Sequence, residues 1–369
     1  MADPQATIQA LLDDLVASGE ERGLQVAVYH RGDLVVDAWA GMADAASGTP
    51  VTPETLFTVY SVSKGITATA IHILAEQGKL AYDDPIAKHW PEFATNGKAD
   101  VLVRHALSHV SGIPQVPPGT TFDDVLDWSG MCDRIAALTP LWPAGTTPCY
   151  HALTYGWILG GVAERADGRP FARIVAEEIA QPLNLNGLYF GVPASELNRV
   201  ATLEELPALR DAEPGAIPDV APPGSIGDAQ MNRPEIRQAC LPAYGLCTTA
   251  RGLARVYAAL IGDGVDGVRL LPPERVRQAT TLEVDGLDAS GGDPFRFALG
   301  YGLGGSDSAM GSRQSAFGHA GYGGAYGYAD PEFDLAVGLT KNRLVLDAPG
   351  VDATSRILQA VRASLGVPH

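Results

Sequence analysis

The stretch Leu56-Phe57-Thr58-Val59-Tyr60-Ser61-Val62-Ser63-Lys64 decides how this chain is read. Pro53 and Glu54 precede its apolar entry. From Ser61 to Gln77 the residues Ile66, Ala70, Ile71, Ile73 and Leu74 recur at helical spacing, and Gly78 stops the pattern. Residues three apart on a helix share a face, so a hydroxyl at 61 and an amine at 64 fall within hydrogen-bonding reach. A serine hydroxyl is a weak nucleophile that needs a base. A lysine desolvated against a neutral wall can lose its proton near neutral pH. The helix N-terminus adds partial positive charge and free N–H groups where an oxyanion would form. The competing reading is a helix-capping serine followed by a solvent-facing lysine. The chain has five lysines, and Lys64 alone has a serine three residues before it.

Three further stretches bear on that choice. Val103-Arg104-His105-Ala106-Leu107-Ser108-His109-Val110-Ser111-Gly112-Ile113-Pro114 reads as helix, turn and loop entry. His109 there is better explained by buried hydrogen bonding to loop backbone than by catalysis. Pro143-Ala144-Gly145-Thr146-Thr147-Pro148-Cys149-Tyr150-His151-Ala152 sets a tyrosine before the helical pattern of Tyr155–Arg165. Phe317-Gly318-His319-Ala320-Gly321-Tyr322-Gly323-Gly324 precedes a strand-like run; taken alone it reads as a glycine-rich hairpin with a capping histidine.

In this order the stretches resemble the serine β-lactamase/penicillin-binding-protein superfamily, in its class C-like branch, and most of all family VIII carboxylesterases and related transesterases. Gly78-Lys79-Leu80, Asp83-Asp84-Pro85-Ile86, Pro182-Leu183-Asn184-Leu185, Gly245-Leu246-Cys247-Thr248-Thr249-Ala250-Arg251 and Leu299-Gly300-Tyr301-Gly302-Leu303 extend the resemblance over nearly the whole chain. It implies Ser61 as nucleophile and Lys64 and Tyr150 as its proton-handling partners. A phenol, ordinarily near pKa 10, could serve if the Lys64 ammonium lowered it. The resemblance also implies an oxyanion hole made of the Ser61 and Tyr322 backbone N–H groups. His319, Ala320, Gly321 and Tyr322 would form the strand beside the substrate, with Gly321 allowing close approach.

Two departures shape the substrate expectation. Ala152 stands where β-lactamases carry the asparagine that helps hold an acylamino side chain. His319-Ala320-Gly321 stands where they carry K-T-G. Ester hydrolysis through a Ser61 acyl-enzyme is therefore the leading expectation. Acyl transfer in a biosynthetic pathway, β-lactamase or D-amino-acid peptidase activity, and a catalytically inactive acyl-compound binding protein are its alternatives. No metal or organic cofactor is implied.

Elsewhere, Ile8, Leu11, Leu12, Leu15 and Val16 mark a helix that would end at Gly23. Leu24–His30 and Leu34–Gly41 read as strands joined by a turn at Arg31-Gly32-Asp33. Helical patterns return at Thr249–Leu260 and Pro273–Ala279. Strand patterns follow at Phe297–Leu303, Ser315–His319, Ala325–Ala329 and Leu335–Thr340, before a final helix capped by Asp352. Residues 205–235, rich in proline, suggest a long surface excursion of the kind that forms lids. The expected fold is α+β: an antiparallel sheet built from both ends of the chain, flanked by N- and C-terminal helices, with a mainly helical lobe inserted. Residues 1–85 and 245–369 would form the sheet lobe and 86–244 the helical one.

Composition sets the outer limits. At 369 residues the chain exceeds the roughly 250–300 at which one core stops growing, so two packed lobes are expected. Net charge −17 argues against nucleic acid and anionic membranes as partners, leaving a small-molecule ester or acyl substrate. Oligomeric state is not encoded in any motif. Cys132, Cys149, Cys240 and Cys247 make no C-x-x-C pair and read as small buried residues. The N-terminus lacks a basic and then apolar leader pattern, which gives a cytoplasmic expectation.

Overall fold

The computed structural model describes residues 3–210, 220, 224–306, 308–345 and 352–369. The first helix, α1 (Pro4–Ala17), is capped by the Asp3 carboxylate, which accepts the Gln5 N–H, and buries Ile8, Leu12 and Leu15. It does not run to Gly23. The chain turns at Ser18 and at Gly19, whose φ is +77°, and Gly23 instead opens strand β1 (Gly23–His30). A side chain at Gly23 would meet the Met42 carbonyl on the neighbouring strand, so glycine there serves close strand approach rather than a helix cap. Arg31 (φ +56°) and Gly32 (φ +84°) make the tight turn into β2 (Asp33–Asp44).

The short β3 (Thr49–Pro50) follows. The segment leading to Ser61 is then threaded through β4 (Phe57–Thr58) into α2 (Val62–Glu76). Helices α3 (Val103–Leu107), α4 (Trp128–Ala136), α5 (Thr154–Asp167) and α6 (Phe171–Val175) occupy the middle of the chain. Short strands β5 (Leu188–Phe190) and β6 (Glu204–Glu205) lie among their connections. After β7 (Leu246–Thr248) come α7 (Ala250–Ala258) and α8 (Pro273–Ala279). Then follow β8 (Val284–Leu287), β9 (Pro294–Phe297), β10 (Gly302–Leu303), β11 (Phe317–Ala320), β12 (Tyr326–Asp330), β13 (Leu335–Lys341) and β14 (Arg343–Leu344), with α9 (Ala353–Ser364) closing the chain.

One nine-stranded antiparallel sheet runs β3-β2-β1-β13-β12-β11-β10-β9-β8. Its centre joins the two ends of the sequence, Leu24 facing Lys341 and Val26 facing Leu339. Strand β13 is buried on both faces, which explains its unbroken apolar run. One face packs Val26, Val28, Val337 and Leu339 against Leu12 of α1 and Leu358 and Val361 of α9. On the other face lie α2 and α7, within the larger core that also holds the middle helices. This is the α+β fold expected from the sequence.

Three local expectations change. Phe297–Leu303 is two strands, β9 and β10, because Gly300 (φ +88°) breaks the run. A hairpin, β8–β9, precedes it where no strand was expected. Phe57–Thr58 is not a helix entry but an edge of a small sheet, β4-β7-β5. Of the proline-rich 205–235 excursion, residues 211–219 and 221–223 lie outside the described residues. No described helix is long and apolar enough to cross a membrane.

Lys341, at the end of β13, pairs with Glu21 where both side chains are almost fully buried. Removing one partner leaves an uncompensated charge in the interior. Lys341→Met should therefore lower the unfolding free energy by about 3–5 kcal/mol, measured by chemical denaturation. A loss below about 1 kcal/mol, the range of exposed pairs, would contradict that.

Candidate active site

Ser61 stands at the mouth of the most enclosed helix of the fold. The Val59 N–H donates to the Leu246 carbonyl at 3.0 Å, fixing the entry strand to β7. Tyr60 then takes φ +48°, a left-handed conformation that a bulky residue adopts only under constraint. Its ring is buried, which supplies the constraint. The sharp turn sets Ser61 at the N-cap of α2 with its hydroxyl uncommitted to capping. Ser63 is spent on structure: its hydroxyl accepts the Leu246 N–H at 3.0 Å.

Every residue of α2 from Val62 to Ala75 is buried, Lys64 included. Lys64 Nζ lies 2.8 Å from the Ala152 carbonyl, 3.0 Å from the Ala243 carbonyl and 3.2 Å from Ser61 Oγ. Burial holds its pKa well below the ordinary lysine value, with no carboxylate to offset the desolvation. A neutral amine has two N–H groups and one lone pair. With the Ala152 and Ala243 carbonyls accepting two N–H groups, Lys64 in its neutral form would have its lone pair free to face the serine hydroxyl.

The Tyr150 ring lies 4.7 Å from Lys64 Nζ. Burial pushes the phenol well above its ordinary value, and the neighbouring Ser61 hydroxyl draws it part of the way down. This corrects the expectation that a Lys64 ammonium lowers it: burial dominates, and the Asp288 carboxylate adds to the upward shift. The Tyr150 N–H donates to Asp288 Oδ1 at 3.1 Å, and the Ala289 N–H to the Pro148 carbonyl at 3.0 Å. Both acceptor and donor come from the loop of the unanticipated β8–β9 hairpin, so sequence reading missed Asp288 as a support of Tyr150.

Behind Tyr150 the histidines form a neutral frame. His109 (φ +62°) stacks on Tyr155 at 5.0 Å and lies 4.8 Å from the Tyr150 ring. Its Nδ1 accepts the His151 N–H at 3.0 Å, and its carbonyl accepts the Cys149 N–H at 3.1 Å. His151 Nδ1–H donates to the Cys149 carbonyl, leaving Nε2 to accept the Ser111 hydroxyl at 2.6 Å. Histidines 109 and 151 thus tie the Ser108–Ile113 turn to the tyrosine segment.

On the far wall, β11 carries His319 and Ala320 to the turn at Gly321-Tyr322. His319 Nδ1–H donates to the Ala320 carbonyl at 2.7 Å; its ring centroid is 6.0 Å from that of Tyr150. The space a Cβ would take at Gly321 is filled by the Val59 carbonyl, so glycine there brings the turn against the segment that leads to Ser61. The Tyr60 and Tyr322 rings meet at 5.4 Å. Among the described residues, no protein acceptor takes the Ser61 N–H or the Tyr322 N–H. The structure therefore brings Ser61, Lys64, Tyr150, His319, Ala320, Gly321 and Tyr322 into one region. Among the described residues no cluster of three or more His, Cys, Asp or Glu side chains is set to hold a metal ion.

Comparison with known proteins gives a consistent picture. A protein-family model described as Beta-lactamase matches residues 8–362. The Esterase/beta-lactamase LipL of Mycobacterium tuberculosis (strain ATCC 25618 / H37Rv) is 36% identical over 339 residues, covering 88% of this chain and 77% of that protein. A crystal structure of a family VIII carboxylesterase superposes with a TM-score of 0.91 at 31% identity, and a penicillin-binding protein homolog from Caulobacter crescentus with 0.89 at 33%. In both, 98% of each chain is covered.

Burial disfavours the charged imidazoles of the cleft and core: His151 is pushed down to about 4, His319 and, deeper along α2, His72 to about 3, and His109 well below its ordinary value. The unfolded chain takes up these protons from about pH 6.5 downward, and the folded protein does not until about pH 4. Stability should fall as the pH drops through that window, seen as a lower urea midpoint at about pH 5 than at about pH 7. A constant or rising midpoint would contradict the neutral frame.

Proposed function

The chain belongs to the beta-lactamase family, and from that membership and the geometry of the cleft we propose that it hydrolyses carboxylic esters with Ser61 as nucleophile. The observation that carries this reading is Lys64 Nζ, fully buried, held by the Ala152 and Ala243 carbonyls and 3.2 Å from Ser61 Oγ; in its neutral form its lone pair would face that hydroxyl. In the first step the Ser61 proton passes to Lys64 Nζ as Oγ bonds to the ester carbonyl carbon. The carbonyl oxygen becomes an oxyanion held by the Ser61 and Tyr322 N–H groups. Lys64 is now an ammonium beside Tyr150, and only now does a positive charge favour the phenolate. Tyr150 can therefore hand its proton to the departing alkoxide and be reprotonated from Lys64 as the carbon–oxygen bond breaks. Water repeats the sequence on the acyl-enzyme: it gives up its proton through Tyr150 and Lys64, adds to the carbonyl, and expels Ser61 with a proton restored.

The charge state of the cleft supports an uncharged ester over a β-lactam. Burial disfavours the charged forms of Lys64, His109, His151 and His319, which makes them poor cations for a substrate carboxylate. Ala152 contributes its backbone carbonyl to Lys64 and has no side-chain amide for an acylamino group.

Ser61→Ala should lower turnover of p-nitrophenyl butyrate by at least about a thousandfold, and a fluorophosphonate should label the wild type but not this variant. Lys64→Arg should be comparably inactive, because a guanidinium does not lose its proton. In the wild type, kcat/KM should rise with pH through the depressed Lys64 pKa, on an acid limb well below the ordinary lysine value of 10.5. Activity that persists in Ser61→Ala, or an acid limb near 10.5, would overturn the mechanism. Nitrocefin turnover matching that of the ester would overturn the substrate assignment.

A further inference from the structure

The turn that presents the Tyr322 N–H is Gly321-Tyr322-Gly323-Gly324, with Gly323 at φ +82° and Gly324 at φ +108°. Three glycines in four residues leave the backbone large conformational freedom. An oxyanion donor works only if it is fixed before the charge develops. Backbone bonds do part of this: the Gly321 N–H donates to the Ala325 carbonyl at 2.7 Å, and the Thr354 hydroxyl to the Gly324 carbonyl at 2.9 Å. A third bond, from the Gly324 N–H to the Gly321 carbonyl at 3.0 Å, restrains the 321–322 peptide plane from its carbonyl side, and the side chain of the turn adds a restraint on the Tyr322 side. The one side chain in the turn is that of Tyr322, and its hydroxyl donates to Glu205 Oε1 at 2.5 Å. The carboxylate that receives it is itself buried and anchored. The Glu205 N–H donates to Asp228 Oδ2 at 3.0 Å, and Glu205 pairs across strands with Leu344, against which Gly323 packs.

We infer that Glu205 is a positioning residue for oxyanion stabilisation, holding the Tyr322 phenol so that the Tyr322 backbone N–H stays aimed at the carbonyl oxygen bound beside Ser61. The inference rests on the reading of that N–H as half of the oxyanion hole. Burial and the Glu205 carboxylate both push the Tyr322 phenol above its ordinary value, so it remains a donor across the working pH range. Contact between the Tyr60 and Tyr322 rings extends the restraint to the residue before the nucleophile, so one clamp registers both halves of the hole.

The test compares wild type, Tyr322→Phe, Glu205→Ala and Glu205→Gln on p-nitrophenyl butyrate and on the corresponding thionoester, whose sulfur accepts hydrogen bonds poorly. Tyr322→Phe and Glu205→Ala should each lower kcat on the ester about tenfold with KM within twofold. That is short of the roughly 100- to 1000-fold that complete loss of one donor costs. The preference for ester over thionoester should shrink by a similar factor, and Glu205→Gln, which keeps an acceptor oxygen, should recover most of both. Wild type without a preference for the ester would remove the oxyanion reading, and the inference with it. A wild-type preference kept intact in both Tyr322→Phe and Glu205→Ala, with kcat within twofold, would leave the hole standing and overturn the positioning role. Raised KM with unchanged preference would also overturn it, as a sign of general disturbance of the cleft. If Glu205→Ala does not fold, Tyr322→Phe, which deletes a single oxygen, decides the matter.

Discussion

A lysine with no solvent and no carboxylate around it is the constraint on which this structure depends. In water Lys64 would be charged; at the centre of the fold, desolvation disfavours the charged form and lowers its pKa well below the ordinary value. The fold must then supply partners for a neutral amine, and it draws them from two distant places: the carbonyl of Ala152 at the entry to α5 and that of Ala243 before β7. Both segments pack on α2 because α2 is apolar nearly all round, Ile66, Ala70, Ile71 and Leu74 among its buried residues. The hydrophobic pattern that buries the helix is therefore the same feature that lowers the pKa of its lysine and suits it to the proposed role of base. Stability is sacrificed in the process, since an apolar side chain at 64 would suit the core better.

The same logic governs the surroundings. Tyr60 and His109 both sit in left-handed backbone, one before the nucleophile and one behind the phenol. Such strain persists only where the neighbourhood over-determines it. For Tyr60 the neighbourhood is a buried ring pocket and β7; for His109 it is a stack of Tyr150, Tyr155, Phe295 and Phe297. Both sites hold a reacting group by packing rather than by charge. A cleft organised that way stays electrically quiet until the reaction itself creates charge, so its oriented dipoles act on the transition state more than on the bound ester.

Much of this was legible in the sequence because it is local. Ser61 and Lys64 lie one helical turn apart, the turn at Arg31-Gly32 needs left-handed residues, and Asp352 caps the helix after it; each follows from neighbours in the chain. What escaped depends on distant partners. Gly23 looks like a helix cap until Met42 is placed beside it. Val284–Leu287 has too little apolar alternation to announce a strand, and its hairpin is defined by pairing with β9. The direction of the Tyr150 shift was misjudged for the same reason: proximity to a lysine is visible in a motif, but the depth of burial is not. Glu205 carries no signal in the sequence, since the tyrosine whose hydroxyl it accepts lies 117 residues away.

The two halves of the proposed oxyanion hole illustrate how such a site divides its requirements between residue types. The proposed donors are backbone groups, set where stretches of chain pack too closely for side chains. Glycine at 321, 323 and 324 lets the turn close against the Val59 carbonyl, Leu344 and the Thr354 hydroxyl, but glycine cannot orient the backbone it carries. A single bulky, polar-tipped residue among them restores orientation: the Tyr322 ring rests on Tyr60, and its hydroxyl reaches a carboxylate outside the cleft. Tyrosine suits this position because its apolar body packs while its tip hydrogen-bonds. Access and rigidity, which conflict in any one residue, are thus met by neighbours. The rigid member is tied to the strained Tyr60, so the turn on β11 and the N-terminus of α2 are held in one register although 261 residues separate Ser61 from Tyr322.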